Sequence, residues 1–220
     1  MYKTELHLHS AAISRCANAP DEDIVQRYVQ AGYHTVVLAN HFNRFTFDYW
    51  KFTDYHTFVD AFCEARDNLQ AAAGDRLRVL LGAEFRFDDN INDYLVFGLN
   101  RELLHATPNV WAEGLKAYRS FADAHGLLIC QAHPFRDGMT VMDPNLLDGM
   151  EVFNGHPGHD SRNAVALAWA ERYGLIRTSG TDRHNVNHSP MGGIVTDTPV
   201  EDMETLVRTL REGTYTWLAK

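Results

Sequence analysis

HTVVLANH, residues 34–41, holds an unbroken apolar run from Val36 to Ala39 and then turns polar at Asn40 and His41. A short apolar run without alternation reads as a strand covered on both faces, which is the habit of parallel sheets flanked by helices. The pattern repeats outward in both directions. Thr4–Leu8, RVLLGAEF (78–85), DYLVFGL (93–99), LLICQAHP (127–134), DGMEVFN (148–154) and LIRTSGTD (175–182) all read as strands. Helical stretches lie between them. Pro20–Gln30 opens on the acids of PDEDIV, Tyr55–Ala73 ends at Gly74, and Trp111–Ala124 is followed by Gly126. Ser161–Tyr173 stops at Gly174, and Val200–Arg211 is the last helix. Six or seven strand–helix units, with no linker, repeat or low-complexity tract, predict one α/β domain over residues 1–220. The expected form is a closed or distorted βα barrel rather than an open sheet.

The composition agrees with one globular domain, since 45% of the 220 residues are hydrophobic. The net charge of −9 argues against a general nucleic-acid binder, which would show a basic face. No stretch approaches the roughly 18 apolar residues of a membrane span, and the N-terminus lacks a signal-peptide core. Cys16, Cys63 and Cys130 are few, odd in number and far apart, which fits a reducing compartment. A soluble, cytoplasmic protein is expected. The anomaly is twelve histidines. Neutral imidazole is the commonest metal ligand, so their placement matters.

In a βα barrel, functional residues sit at the C-terminal ends of strands. His7 and His9 lie two apart in a strand and so share a face. His41 follows VVLAN, Glu84 follows VLLGA, His133 follows LICQA and Asn154 follows MEVF. Asp182 and His184, again two apart, follow IRTSG. Any one of these has an ordinary explanation as a cap, a core group or an exposed acid. Their coincidence at one end of one barrel predicts a metal site. His34 falls at the opposite end, His56, His105 and His125 fall in or at the ends of helices, and Cys63 and Cys130 read as core.

The blocks TELHLHS, VVLANH, LLGAEF, CQAHPFR, MEVFNG, TSGTDRH and MGGI, in this order, resemble the polymerase and histidinol phosphatase (PHP) family. The resemblance implies a distorted (β/α)7 barrel with two or three divalent ions, zinc, manganese or iron. It further implies that His7, His9, Glu84 and Asp182 hold one ion, that Glu84 bridges to a second on His133, and that His41 and His184 hold a third. Free-standing members mostly hydrolyse phosphate esters. Three departures stand out. Many members carry Ser-Asp-Gly after H-x-H-S, where this chain offers Arg15 and Cys16, and only Cys16 can ligate. The usual Thr-Asp-His is Ala39-Asn40-His41. Where a histidine often follows Glu84 on the next strand, this chain has Asp93 and Tyr94.

The chemistry so implied is hydrolysis by water activated at a multinuclear centre, with Asp182, Glu84 and Arg136 as catalytic residues. Asp182 would hold the water as well as ligate. Arg136, in HPFR, would clamp phosphate, with Arg44 and Arg183 as lesser candidates. The expected partner is a small phosphorylated substrate. Hydrolysis of a C–N or C–O bond is the alternative, and a metal-bound regulatory barrel the third. NRFTFDYWKFTDYHTF, after His41, reads as a loop that packs over the mouth, or whose Phe45, Phe47, Tyr49 and Trp50 stack on a substrate ring. His156 and His159, in the segment after Asn154, lie where they could reach the site.

Overall fold

The computed structural model describes residues 1–219. Its strands are β1 (Tyr2–Leu8), β2 (Tyr33–Leu38), β3 (His41–Phe42), β4 (Arg78–Leu81), β5 (Ala83–Phe85), β6 (Tyr94–Phe97), β7 (Leu128–Gln131), β8 (Gly149–Asn154), β9 (Ile176–Gly180), β10 (Ile194–Thr196) and β11 (Thr216–Trp217). The helices are α1 (Asp21–Gln30), α2 (Arg44–Tyr49), α3 (Tyr55–Ala73), α4 (Arg101–His105), α5 (Leu115–Ala124), α6 (Asn163–Tyr173) and α7 (Met203–Glu212). One sheet runs β11-β10-β1-β2-β4 and the other β3-β5-β6-β7-β8-β9.

This is a mixed α/β fold, and it corrects the expectation of one ring of parallel strands. The ladder divides into two sheets with no closed barrel among the described residues. β6 runs antiparallel to β5 and β7, and β10 antiparallel to β1 and β11. The connection from β5 to β6, residues 86–93, holds no helix, whereas a parallel return needs a crossover of about a dozen residues or more. The chain also changes sheet at Ala39–Asn40 and at Gly82, so β3 and β5 continue the paths of β2 and β4 in the other sheet. Backbone bonds stitch the sheets together beyond β1 and β9. Asp182 N donates to His7 O at 2.8 Å, and His9 N to Arg183 O at 3.0 Å.

Local signals set the helices. Asp54 caps α3 by accepting from Thr57 N at 2.7 Å, and the buried Phe58, Val59, Phe62, Ala65 and Leu69 follow the 3.6-residue period. α5 starts at Leu115, later than expected, because Trp111 belongs to a separate 3-10 turn and Gly114 breaks the path at φ 82°. α6 starts at Asn163 and α7 at Met203, where Asp202 caps Thr205 N. The aromatic stretch after His41 forms α2 rather than a loop, capped by Asn43 on Thr46 N at 2.8 Å.

Phe42, Phe58, Phe62, Phe85 and Trp111 form an aromatic core under α3 and α5. Leu6, Val37, Leu80, Leu95, Leu128 and Cys130 form a second cluster, closed by Leu206 and Leu210 of α7. No helix among the described residues is long and apolar enough to cross a membrane.

Candidate metal centre

The residue-two spacing of β1 puts the imidazoles of His7 and His9 side by side, fully buried, with their Nε2 atoms 3.0 Å apart. β5 and the turn after β9 bring carboxylates to the same point. His7 Nε2 is 3.4 Å from Glu84 Oε1 and from Asp182 Oδ1, and His9 Nε2 is 3.4 Å from Glu84 Oε2 and 3.3 Å from Asp182 Oδ1. Four donors around one ion with bonds of about 2.0–2.1 Å stand about 3.3–3.4 Å from each other. The distances from His7 and His9 to Glu84 and Asp182 match that separation. Glu84 Oε2, Asp182 Oδ1 and His41 Nδ1 are buried there with no hydrogen-bond partner among the described residues. Glu84 Oε2 and His41 Nδ1 are only 2.7 Å apart yet out of hydrogen-bond alignment, as two donors aimed at a third atom would be. A divalent cation fits this donor set.

The other expected residues adjoin it. His133 Nε2 lies 3.1 Å from Glu84 Oε1, and His184 Nδ1 lies 3.2 Å from Asp182 Oδ1. Donor atoms of His9, His41 and His184 form a second close group, and those of His41, Glu84 and Asp93 a third. Cys16 Sγ stands 3.2 Å from His41 Nε2. Asp93 reaches the edge, 3.9 Å from His133 Nε2, but Arg86 grips it at 2.7 and 2.6 Å. Tyr94 turns away and donates to Asn90.

The charges oppose one another strongly. Burial pushes the Glu84 carboxyl up, but His41 and His7 hold it well below the usual range. Burial works the same way on Asp182, which His7 and its contacts with His159, His184 and His9 hold well below. His7 is raised against its burial by Asp182, Glu151 and Glu84, while burial and the neighbouring His184 and His41 depress His9. Burial alone would raise the Cys16 thiol; His184 and His41 bring it down to about 6.

A layer behind the donors aims them. Glu151 Oε1 lies 2.9 Å from His7 Nδ1, and its Oε2 accepts from His133 N and Asn154 Nδ2, each at 2.9 Å. Asn154 Nδ2 also reaches Asp182 Oδ2 at 3.2 Å. Ser14 Oγ lies 3.4 Å from His9 Nδ1, accepts from His41 N, and donates to Asn40 Oδ1. Glu5, wholly buried, accepts from His7 N, Thr181 N, the Thr181 hydroxyl and the Tyr28 hydroxyl, tying β1 to the Asp182 turn. The sequence reading missed Glu151, Arg86 and Glu5. Its available signal was a carboxylate inside an otherwise apolar strand, which is seldom buried without a partner.

His133 at φ 29° and Asp182 at φ 51° both occupy the left-handed region, at a cost of about 1–3 kcal/mol each. A cleft of about 260 Å³ opens over the donors, lined also by Arg136, His156 and His159. His159 Nε2 is 3.7 Å from Asp182 Oδ2, and the ring of His156 stacks on His159 at 4.4 Å. The loop after Asn154 thus reaches the site. Arg183 does not serve as a clamp: its side chain is fully buried, bonded to Asp23 and His188 O. Arg44 pairs with Asp88 outside the cleft.

No protein-family model matches this sequence, and no curated protein matches it significantly. Solved structures do. A two-domain protein from Bacteroides vulgatus, containing a predicted PHP-like metal-dependent phosphoesterase, superposes with a TM-score of 0.70 at 15% identity, over 98% of this chain and 64% of its own. This chain shares that protein's fold. PsfC from Pseudomonas syringae shares it at a TM-score of 0.68 and 17% identity, over 94% of this chain and 87% of PsfC. Endonuclease Q, in complex with a 27-mer duplex substrate that carries an abasic lesion, matches at 0.61 and 12% identity, over 96% of this chain and 56% of its own. This chain thus spans 64% of the length of the Bacteroides protein and 56% of that of Endonuclease Q. Within this fold, the donors described above lie on β1, β3 and β5 and in the segments after β1, β7 and β9.

Proposed function

We propose that this chain is a metal-dependent hydrolase that cleaves the ester of a small phosphorylated substrate. The close approach of His7 and His9 to Glu84 and Asp182, with carboxylate oxygens left unpaired in a buried site, carries this reading. These four would hold one ion. Glu84 would bridge to a second, shared with His133, and His41, His184 and Cys16 would hold a third. Bound there, divalent ions lower the pKa of water to about 7 and offset the charge of a phosphoryl group.

The protein's own groups do the rest. Asp182 offers Oδ1 to the donor cluster, Asn154 steadies its Oδ2 from behind, and with His159 beside it the carboxylate can orient the attacking water. Arg136, lining the cleft with its Nη2 3.7 Å from Asp93, supplies a guanidinium for the non-bridging phosphoryl oxygens. The water oxygen bonds to phosphorus as the bond to the leaving-group oxygen breaks. The attacking water gives up one proton and the leaving oxygen takes one up, so the products are the alcohol and inorganic phosphate.

Elemental analysis of the purified protein should find about two equivalents of metal or more. A screen of nucleotides, sugar phosphates and histidinol phosphate should release inorganic phosphate from at least one. Arg136→Ala should raise KM if the guanidinium holds the ground state, or lower kcat if it acts in the transition state. A metal-free protein indifferent to chelators would overturn the reading. So would a metal-loaded one that opens amides or lactones and no phosphate ester.

A further inference from the structure

The 260 Å³ cleft over the donors is smaller than the roughly 300–1,000 Å³ of ordinary ligand pockets. A second pocket of about 410 Å³ adjoins it on the His41 side, and the two share Cys16, His41 and Arg86 as walls. Phe45 lines this second pocket and is 58% exposed. Tyr49, one of its near neighbours, is also exposed and stacks beside it. Phe47, from the same helix, instead packs against Phe58 and Trp111. The helix therefore divides its aromatic residues between core and mouth.

Arg15 completes the pocket. Its guanidinium lies 4.7 Å from the Tyr49 ring and 5.4 Å from the Phe45 ring, which are themselves nearly parallel. Arg44 and Arg86 are each held by a carboxylate, but Arg15 forms no ion pair among the described residues. An exposed cation stacked on aromatic faces, in a chain of net charge −9, is a fixed positive point with no internal counter-ion.

We infer that this second pocket holds the leaving group of the substrate, a planar ring that carries a second anionic group. The ring lies along Phe45 and the anion meets Arg15 while the scissile phosphate occupies the donor cleft. This deepens the phosphoesterase reading and rests on it.

The test uses the metal-loaded, full-length protein and three phosphate monoesters: 4-carboxybenzyl, benzyl and propyl phosphate. All three release a primary alcohol. The charged ring should exceed propyl phosphate in kcat/KM by about tenfold or more, with benzyl phosphate between. Arg15→Ala should bring the carboxybenzyl ester down to the benzyl value, and Phe45→Ala should bring both ring esters toward propyl phosphate. Calorimetry with 4-(hydroxymethyl)benzoate, which has no phosphate, reads the pocket alone. It should bind the parent protein and bind Arg15→Ala about tenfold more weakly. Equal kcat/KM for all three esters, with no binding of the hydroxymethylbenzoate, would overturn the pocket and leave the phosphoesterase reading standing. Binding of the hydroxymethylbenzoate without cleavage of any ester would overturn the phosphoesterase reading and with it the leaving-group role, leaving only a pocket for an anionic ring.

Discussion

His7 Nδ1 stands 2.9 Å from Glu151 Oε1, both side chains fully shielded from solvent, and this contact turns His7 Nε2 toward Glu84 and Asp182. Outer carboxylates of this kind fix the tautomer and heading of a ligating imidazole. Glu151→Ala should therefore weaken metal affinity by about 10–100-fold, measured by chelator competition. Glu151→Gln keeps an acceptor for the His7 N–H and should lose less. Equal affinity in all three proteins would mean that Glu151 only fills space.

Cys16 Sγ, 3.2 Å from His41 Nε2, stands where the family resemblance predicts a carboxylate. Thiolate is a good zinc ligand and a poor one for manganese or magnesium. Cys16→Ser should lose about one metal equivalent and keep the rest, whereas Cys16→Asp should retain the full number and shift preference toward harder ions. Unchanged stoichiometry in Cys16→Ser would assign the thiol to structure alone.

Loading the centre should release protons. In the metal-free protein, burial disfavours the charged form of His184, yet Asp182 and Cys16 raise its pKa to about 10. His7 and His41 are likewise raised, against burial, by the carboxylates beside them. Groups raised in this way keep their protons at neutral pH, and an ion must displace them. Affinity should therefore climb as pH rises from 6 toward 9, and zinc added to weakly buffered protein should acidify the solution. Cys16, near 6, is already largely deprotonated at pH 7 and contributes little to the release. Titration with a pH indicator decides it: no proton release at pH 7 would refute the charge assignment.

Gly180 closes β9 against β1. A Cβ there would lie 2.3 Å from His7 Cβ and 2.8 Å from Glu151 Oε1. Gly180→Ala should cost about 1–3 kcal/mol in urea unfolding and lower metal content as well, because His7 must shift. A variant with wild-type stability and metal content would show that the strands can separate freely.

Much of the site was readable because its signals are local. The His7 and His9 pair needs only the two-residue period of a strand, and the ends of α3 are marked by Asp54 and Gly74. His9, His41, Glu84 and His133 stand at or just past the end of an apolar run. Strand direction carries no such mark, so β6 reads the same whether parallel or antiparallel, and β10 and β11 are too short to announce themselves. α2 was hidden because its aromatic residues serve core and mouth alternately, with no single apolar face. Glu151 and Glu5 were hidden because their partners are distant in the chain: Glu151 meets His7 across the junction of the sheets, and Glu5 meets Thr181.

The donors come from both sheets, His7 and His9 on one side and Glu84, His133 and Asp182 on the other. On a ribosome the first pair emerges well ahead of Asp182. Two imidazoles by themselves cannot retain an ion against cellular chelators, so capture must wait for the last strands to dock. Ion supply would then set the fraction of finished molecules that carry metal, while the yield of folded chain would depend on the apolar clusters.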